Sequence, residues 1–428
     1  MSIIIKNASC GYTKEPLKGA FGFKGSALTS LWQTAVYLES DNNKAIGLGV
    51  QSVLWSDADV YALLGEDTGN RAMFSLTQYA VDKVKGMSFN NPAEVVDYLY
   101  PMLYEYAVEI TKNTNLRTTF VLNALVPLDF ALWQLWAKEN CVKSFDEINK
   151  FEGYKQSMLA NIPLITYKTP ITEVLDMAEE GTPLFKIKIG SNPNMNDNLD
   201  EMLLWDENRI LEIHNAVKDI KNEYTENGDI LYYLDANGRY DSKERLKKLI
   251  SFLKDNCILD RVVLLEEPFD ENNKIDVSDL PVCIAADESA HSLKDVEERF
   301  NLGYKALTLK PIAKTLSMTM RMAEYAIKKG MTCFCADLTV NPTMVSWNQC
   351  VAARLKTISK MKIGVLESNG SQNYINWEKM MKMHPSSDKS FIRCNDGVFV
   401  LDKEFYELSG GVFSFPENYL DIAIKGDA

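Results

Sequence analysis

The stretches VVLLEEPF (residues 262–269), VCIAADES (282–289) and YKALTLKP (304–311) decide the fold. Each is a short apolar run that stops at a charged residue: Glu266, Asp287 or Lys310. Runs of this length suit buried strands and are too short for ordinary helices. Working outward, similar runs stand at 164–167, 185–189, 230–234, 332–336 and 363–366, separated by amphipathic segments, the longest over 196–224. Eight strands alternating with helices predict an α/β fold, a (β/α)8-type barrel over about residues 160–385. Upstream, 2–8, 27–39 and 45–54 read as strands with glycine-rich turns between them. Helical periodicity follows over 71–84, 92–111 and 117–138, which makes residues 1–140 a separate α+β domain. The stretch 390–428 holds strand-like pieces without a ninth repeat and is expected to run back to the first domain.

Composition narrows the partners. The chain has 428 residues and a formal net charge of −13. That balance disfavours nucleic-acid and anionic-membrane surfaces, which need clustered Lys and Arg, and leaves a small molecule as the expected partner. The apolar run at 3–5 is cut by Lys6, too brief for a signal-peptide core, and no stretch reaches 18 apolar residues, so a cytoplasmic protein is expected. Eight cysteines without a Cys-x-x-Cys pair read as reduced thiols, and the histidines, His214, His291 and His384, do not cluster as zinc ligands would. Oligomeric state is open, a homo-oligomer included.

The charged residues at the strand ends carry the functional reading. Lys188, Asp235, Glu266, Asp287 and Lys310, and more loosely Asp337 and Glu367, recur at intervals of roughly 20 to 50 residues, one βα unit each, which brings them to the carboxyl-terminal mouth where barrel enzymes keep their chemistry. Residues two apart in a strand share a face, so Lys186 goes with Lys188, and Thr308 with Lys310. Asp235, Glu266 and Asp287 supply hard oxygen ligands and would repel one another strongly if bare. They point to Mg²⁺ as cofactor, with Mn²⁺ as a substitute.

Taken in order, Lys-Ile-Lys (186–188), Asp-Ala-Asn (235–237), Glu-Glu-Pro (266–268), Asp-Glu-Ser (287–289) and Leu-Lys-Pro (309–311) resemble the enolase superfamily, specifically its muconate-lactonizing-enzyme-like subgroup. The resemblance covers about residues 1–385 and makes the first domain a capping domain. It implies that Asp235, Glu266 and Asp287 are the Mg²⁺ ligands and that Lys188 and Lys310 are the acid/base pair. The implied chemistry is removal of the proton next to a substrate carboxylate through an enediolate. An unperturbed lysine is protonated at neutral pH, so Lys186 is expected to disfavour the proton on Lys188 as a neighbouring like charge. Asn237 and Glu288 are expected to orient the ligands.

Departures from the family patterns limit the substrate. No histidine stands near the ends of the sixth or seventh strands, unlike the mandelate-racemase subgroup. The last strand reads Glu367-Ser368-Asn369-Gly370 where dipeptide epimerases carry Asp-x-Asp, so a dipeptide is not expected, although Glu367 could receive a cation. The capping segment 18–25 would cover the mouth, with Phe21 and Phe23 as apolar cover and Lys18 or Lys24 facing a second anionic group. The segment 51–61, with Trp55, is the second candidate loop. Asp337 completes the substrate-binding candidates. The two lysines favour racemisation or epimerisation, an isomerase. A one-base β-elimination or cycloisomerisation (a lyase) would use the same site, and a barrel that binds a carboxylate without turnover is the non-enzymatic alternative.

Overall fold

The computed structural model describes residues 2–23, 26–149, 151, 153–192, 194 and 196–425. Strands β1 (Asn7–Phe23), β2 (Ser26–Glu39) and β3 (Lys44–Gln51) form an antiparallel sheet in that order. The long β1 departs from the expected glycine-rich turn and covering loop. Gly11, Pro16, Gly19 and Gly22 disguise it, but β1 is an edge strand, where a missing ladder donor is tolerated, and the register shifts between Pro16 and Phe21.

Helices α1 (Ala58–Val84), α2 (Pro92–Thr111) and α3 (Thr118–Glu139) follow. Asp57 caps α1 by accepting the Asp59 and Val60 amides, and Asn91 caps α2 ahead of Pro92. By length and composition α3 could cross a membrane, yet almost all of it is buried inside the protein. It lies directly on β3, where Gly47 permits the close approach: a Cβ there would stand 2.0 Å from the Pro127 carbonyl oxygen.

The barrel comprises β4 (Met158–Ile162), β5 (Leu164–Ile165), α4 (Ile171–Glu179), β6 (Leu184–Lys188), α5 (Leu199–Val217), β7 (Leu231–Asp235), α6 (Lys243–Asp255), β8 (Val262–Glu266), β9 (Ile284–Ala286), α7 (Leu293–Asn301), β10 (Ala306–Leu309), α8 (Leu316–Lys328), β11 (Thr332–Cys335), α9 (Pro342–Ala352) and β12 (Gly364–Glu367). Parallel pairing runs β4-β12-β11-β10-β9-β8-β7-β6-β5. The first strand is split at Pro163, a residue without a ladder donor. Its first half pairs with β12 and its second with β6, so chain continuity closes the barrel. The sequence reading found only the second half. Leu231, Tyr233, Val263, Ala285, Ala306, Phe334 and Val365 belong to one buried cluster that fills the lumen, which leaves the mouth for chemistry.

Beyond the barrel, β13 (Val398–Val400) pairs antiparallel with β4, and α10 (Leu420–Lys425) packs against β1 and β2. Buried polar contacts fix the first sheet over the mouth. Gln33 Nε2 donates to Tyr374 Oη at 2.8 Å, Asn341 Nδ2 donates to Gln33 Oε1 at 2.9 Å, and Tyr374 Oη donates to the Thr339 carbonyl at 2.5 Å.

Candidate active site

Strand register assembles the site. Lys188 lies beside Asp235, and Asp235 beside Glu266, in one row across β6, β7 and β8. Ala286 on β9 pairs with Leu307 on β10, so Asp287 and Lys310 emerge just beyond those strands on the other side of Glu266. Lys188 and Lys310 therefore come from strands that face each other across the barrel.

Every cation here is held by a carboxylate. Lys186 Nζ lies 3.0 Å from Asp235 Oδ2, 3.1 Å from Glu266 Oε1 and 3.2 Å from Glu367 Oε2, above the Tyr233 ring. Lys188 Nζ reaches the same Asp235 oxygen at 2.6 Å and Asn237 Oδ1 at 2.5 Å. Lys310 Nζ lies 2.5 Å from Asp287 Oδ2 and 4.7 Å from the centroid of the Trp55 ring. Lys314, wholly buried, meets Asp287 Oδ1 at 3.1 Å and donates to the carbonyls of Asp287 (2.6 Å) and Ala290 (2.9 Å). For Lys310, burial opposes the charge, but Asp287 and Glu288 outweigh it and hold the pKa above the ordinary lysine value. Burial likewise works against ionised Asp235 and Asp287, and their lysine neighbours overcome it, leaving both carboxyls below their usual range. Glu266 differs: burial prevails over Lys186 and pushes it up to about 8.

Two neighbours of the ligand row escaped the sequence reading. Glu267, at φ +40°, turns its carboxylate back so that Oε2 accepts from the Asp287 amide (2.8 Å), the Ser289 amide (3.2 Å) and Ser289 Oγ (3.0 Å). A positive φ is uncommon at glutamate, and here it accompanies the fixing of Asp287. The second glutamate of Glu-Glu-Pro was its available signal. Lys314 was legible only as the residue one helical turn after Lys310.

The carboxylates suit a hard cation. Oxygens of Glu266, Asp287 and Glu288 lie within 4.8 Å of one another. Glu288 Oε1 accepts from Asn237 Nδ2 at 3.0 Å, whereas its Oε2 is buried without a hydrogen-bond partner among the described residues. A buried carboxylate oxygen left unpaired is costly unless something binds it. In formal charge Asp235, Glu266, Asp287, Glu288 and Glu367 exceed Lys186, Lys188, Lys310 and Lys314 by one, a balance that favours a cation over an anion at this mouth. Two of the three ligands expected from the sequence belong to the converging trio. Glu288, expected as an orienting neighbour, is its third member, while Asp235 Oδ2 faces the paired lysines.

The substrate-binding candidates divide. Trp55 lies in a short helical turn, Val53–Ser56, and borders the cavity at the mouth. Asp337 and Glu367 border it too, but Asp337 accepts the amides of Leu338, Val340 and Asn369, and Glu367 is engaged by Lys186 and Asn369. Burial, with Glu367 nearby, pushes Asp337 up to about 7 against those amides. Lys18 donates to the Ser371 carbonyl at 2.8 Å, so it ties β1 to the loop after β12. Phe21 and Phe23 fall within the backbone of β1, their side chains lying outside the described residues, as does Lys24 altogether.

No family model and no curated protein sequence matches the chain. Among solved structures it is similar to a mandelate racemase/muconate lactonizing enzyme from Roseiflexus sp., with 16% identity over 94% of this chain and 96% of that one and a TM-score of 0.66. It is also similar to a dipeptide epimerase from Enterococcus faecalis V583 complexed with Mg and the dipeptide L-Leu-L-Tyr (16% identity, 88% and 92% covered, TM-score 0.62). A third is the N-succinyl Arg/Lys racemase from Bacillus cereus ATCC 14579 (16% identity, 88% and 89% covered, TM-score 0.62). At these identities the likeness is one of fold, and the fold is that of enolase-superfamily structures: a capping domain over a barrel.

Proposed function

We propose that this chain is an enolase-superfamily isomerase that removes the proton next to the carboxylate of a small substrate and returns one to the opposite face, a racemase or epimerase. The observation that carries this reading is the placement of Lys188 and Lys310 on facing strands, each within 2.6 Å of a carboxylate belonging to the row between them. Glu266 and Asp287 would hold a Mg²⁺ ion, with Asp235 and Glu288 flanking them, and Mn²⁺ would serve in its place. When bound, the ion supplies the positive charge that offsets a developing enediolate, which is the superfamily's general pattern of lysine and metal.

The chain's own groups do the proton work. Lys310, held as an ammonium by Asp287 and Glu288, is poised to give a proton. A cation held by those carboxylates would weaken their support for the Lys310 charge, and so would favour the neutral form a base requires. Lys188 sits beside Lys186, both within 3.0 Å of Asp235 Oδ2, so the two ammonium groups compete for one carboxylate oxygen. Asn237 and Glu267 orient Glu288 and Asp287.

The direct test is deuterium incorporation at the α-carbon of carboxylic acids in D2O. Metal-dependent exchange supports the reading and excludes a barrel that only binds. A single essential lysine would instead favour the one-base lyase or cycloisomerase.

A further inference from the structure

The layer of the barrel beneath the ligand row carries two hydroxyl groups. Residues two apart in a strand share a face, so Tyr233 lies one step below Asp235 on β7 and Thr308 one step below Lys310 at the end of β10. Both are wholly buried, and both donate to one atom: Thr308 Oγ lies 2.7 Å from Glu266 Oε2, and Tyr233 Oη donates to the same oxygen. The other oxygen, Oε1, accepts from Lys186 Nζ at 3.1 Å, and that ammonium sits 4.8 Å over the Tyr233 ring. Glu266 is thus gripped from below by groups that the proposed reaction does not use.

These donors set what Glu266 can offer an ion. An ionised carboxylate only accepts, with about two lone-pair directions on each oxygen. The two hydroxyls take both directions on Oε2, whereas Lys186 takes one on Oε1. Oε1 is therefore the oxygen with capacity left, and Glu266 is restricted to ligation through a single oxygen. That restriction separates cations by size. Mg²⁺ demands compact octahedral geometry and is well served by single oxygens, while the larger Ca²⁺ takes more ligands and commonly draws both oxygens of one carboxylate.

We propose that Tyr233 and Thr308 are positioning residues that select the ion: by holding Glu266 Oε2 they prevent two-oxygen ligation and favour Mg²⁺ over Ca²⁺. This rests on the proposed metal site at Glu266 and Asp287. Recruiting Oε2 for a larger ion would break two hydrogen bonds to a charged group, each worth about tenfold or more in an equilibrium.

Calorimetric titration of the metal-free protein with Mg²⁺ and, separately, with Ca²⁺ tests it. Tyr233→Phe keeps the ring under Lys186 and Thr308→Val keeps the branched shape, so each removes one hydroxyl. The ratio of Ca²⁺ to Mg²⁺ affinity should rise at least about tenfold in the double variant and by a smaller factor in each single variant. Thr308→Ser, which retains the hydroxyl, should keep the wild-type ratio. Circular dichroism checks the fold, and the single variants carry the test if the double variant does not fold. Hydroxyls that served packing alone would weaken both ions by one factor and leave the ratio unmoved. An unmoved ratio in the variants without a hydroxyl, an equal rise in Thr308→Ser and Thr308→Val, or loss of both ions in the single variants overturns the inference. Wild-type protein that binds neither ion contradicts the metal site itself, whereas wild-type binding with an unmoved ratio in the variants contradicts the ion selection alone.

Discussion

Replacing Lys314 by methionine sets the stability of the site against its affinity for metal. Lys314 is wholly buried and spends its ammonium on Asp287 Oδ1 and on two carbonyls. Methionine keeps the length and removes the charge, leaving Asp287 with one lysine in place of two and two carbonyls without their donor. Removing one member of a buried pair costs about 3–5 kcal/mol, which should appear as a lower urea midpoint in metal-free buffer. The effect on Mg²⁺ has the opposite sign. A dication at Asp287 would no longer face a positive charge on the same carboxylate, and at an effective dielectric of about 20 a like-charge pair about 6 Å apart costs roughly 2–3 kcal/mol per unit charge. Mg²⁺ affinity in Lys314→Met should therefore rise by at least about tenfold, and added Mg²⁺ should restore more of the midpoint than it adds to the wild type. An unchanged metal-free midpoint, or the same Mg²⁺-induced shift in both proteins, would refute the reasoning.

Two further outcomes follow from the same geometry. Asp235→Asn, Glu266→Gln, Asp287→Asn and Glu288→Gln should each weaken Mg²⁺ binding in calorimetry while the circular dichroism spectrum stays unchanged, because these groups lie at the mouth rather than in the lumen; undiminished affinity throughout would remove the site. His384 is buried, accepts from the Ser386 amide through Nδ1 at 2.9 Å and has Ser346 Oγ 3.0 Å from Nε2, and burial lowers its pKa to about 4. Because the unfolded chain takes up this proton below about 6.5 and the folded chain only near 4, stability is lost as pH falls across that window, by about 3 kcal/mol in total. His384→Gln should show a correspondingly smaller loss in denaturation midpoints between pH 7 and pH 4, and identical pH slopes would count against it.

The barrel was legible because its strands are short apolar runs that stop at charged residues, and the register places Lys188, Asp235 and Glu266 side by side as that pattern predicts. What escaped lacked a local signal. The first barrel strand is divided by Pro163, and its earlier half, Met158–Ile162, has an apolar run too brief to stand out. The arm Asn7–Phe23 is interrupted by glycines and a proline that an edge strand tolerates and a propensity reading does not. At the site, residue types were readable but their division of labour was not. Glu288 converges with Glu266 and Asp287 because Asn237 holds it there, and Lys314 is drawn to Asp287 by a helical turn, both contacts between units distant in sequence.

The most direct test of the central claim is proton exchange by the single-lysine variants. Lys188→Ala and Lys310→Ala are incubated separately with each enantiomer of an accepted α-chiral carboxylate in D2O and Mg²⁺, and α-deuteration is followed by NMR. Two bases on opposite faces predict that each variant loses interconversion but still exchanges the one enantiomer whose proton points at its remaining lysine, with the preference reversed between the variants. Exchange of both enantiomers by both variants at the wild-type rate would show that neither lysine is the base and would contradict the account.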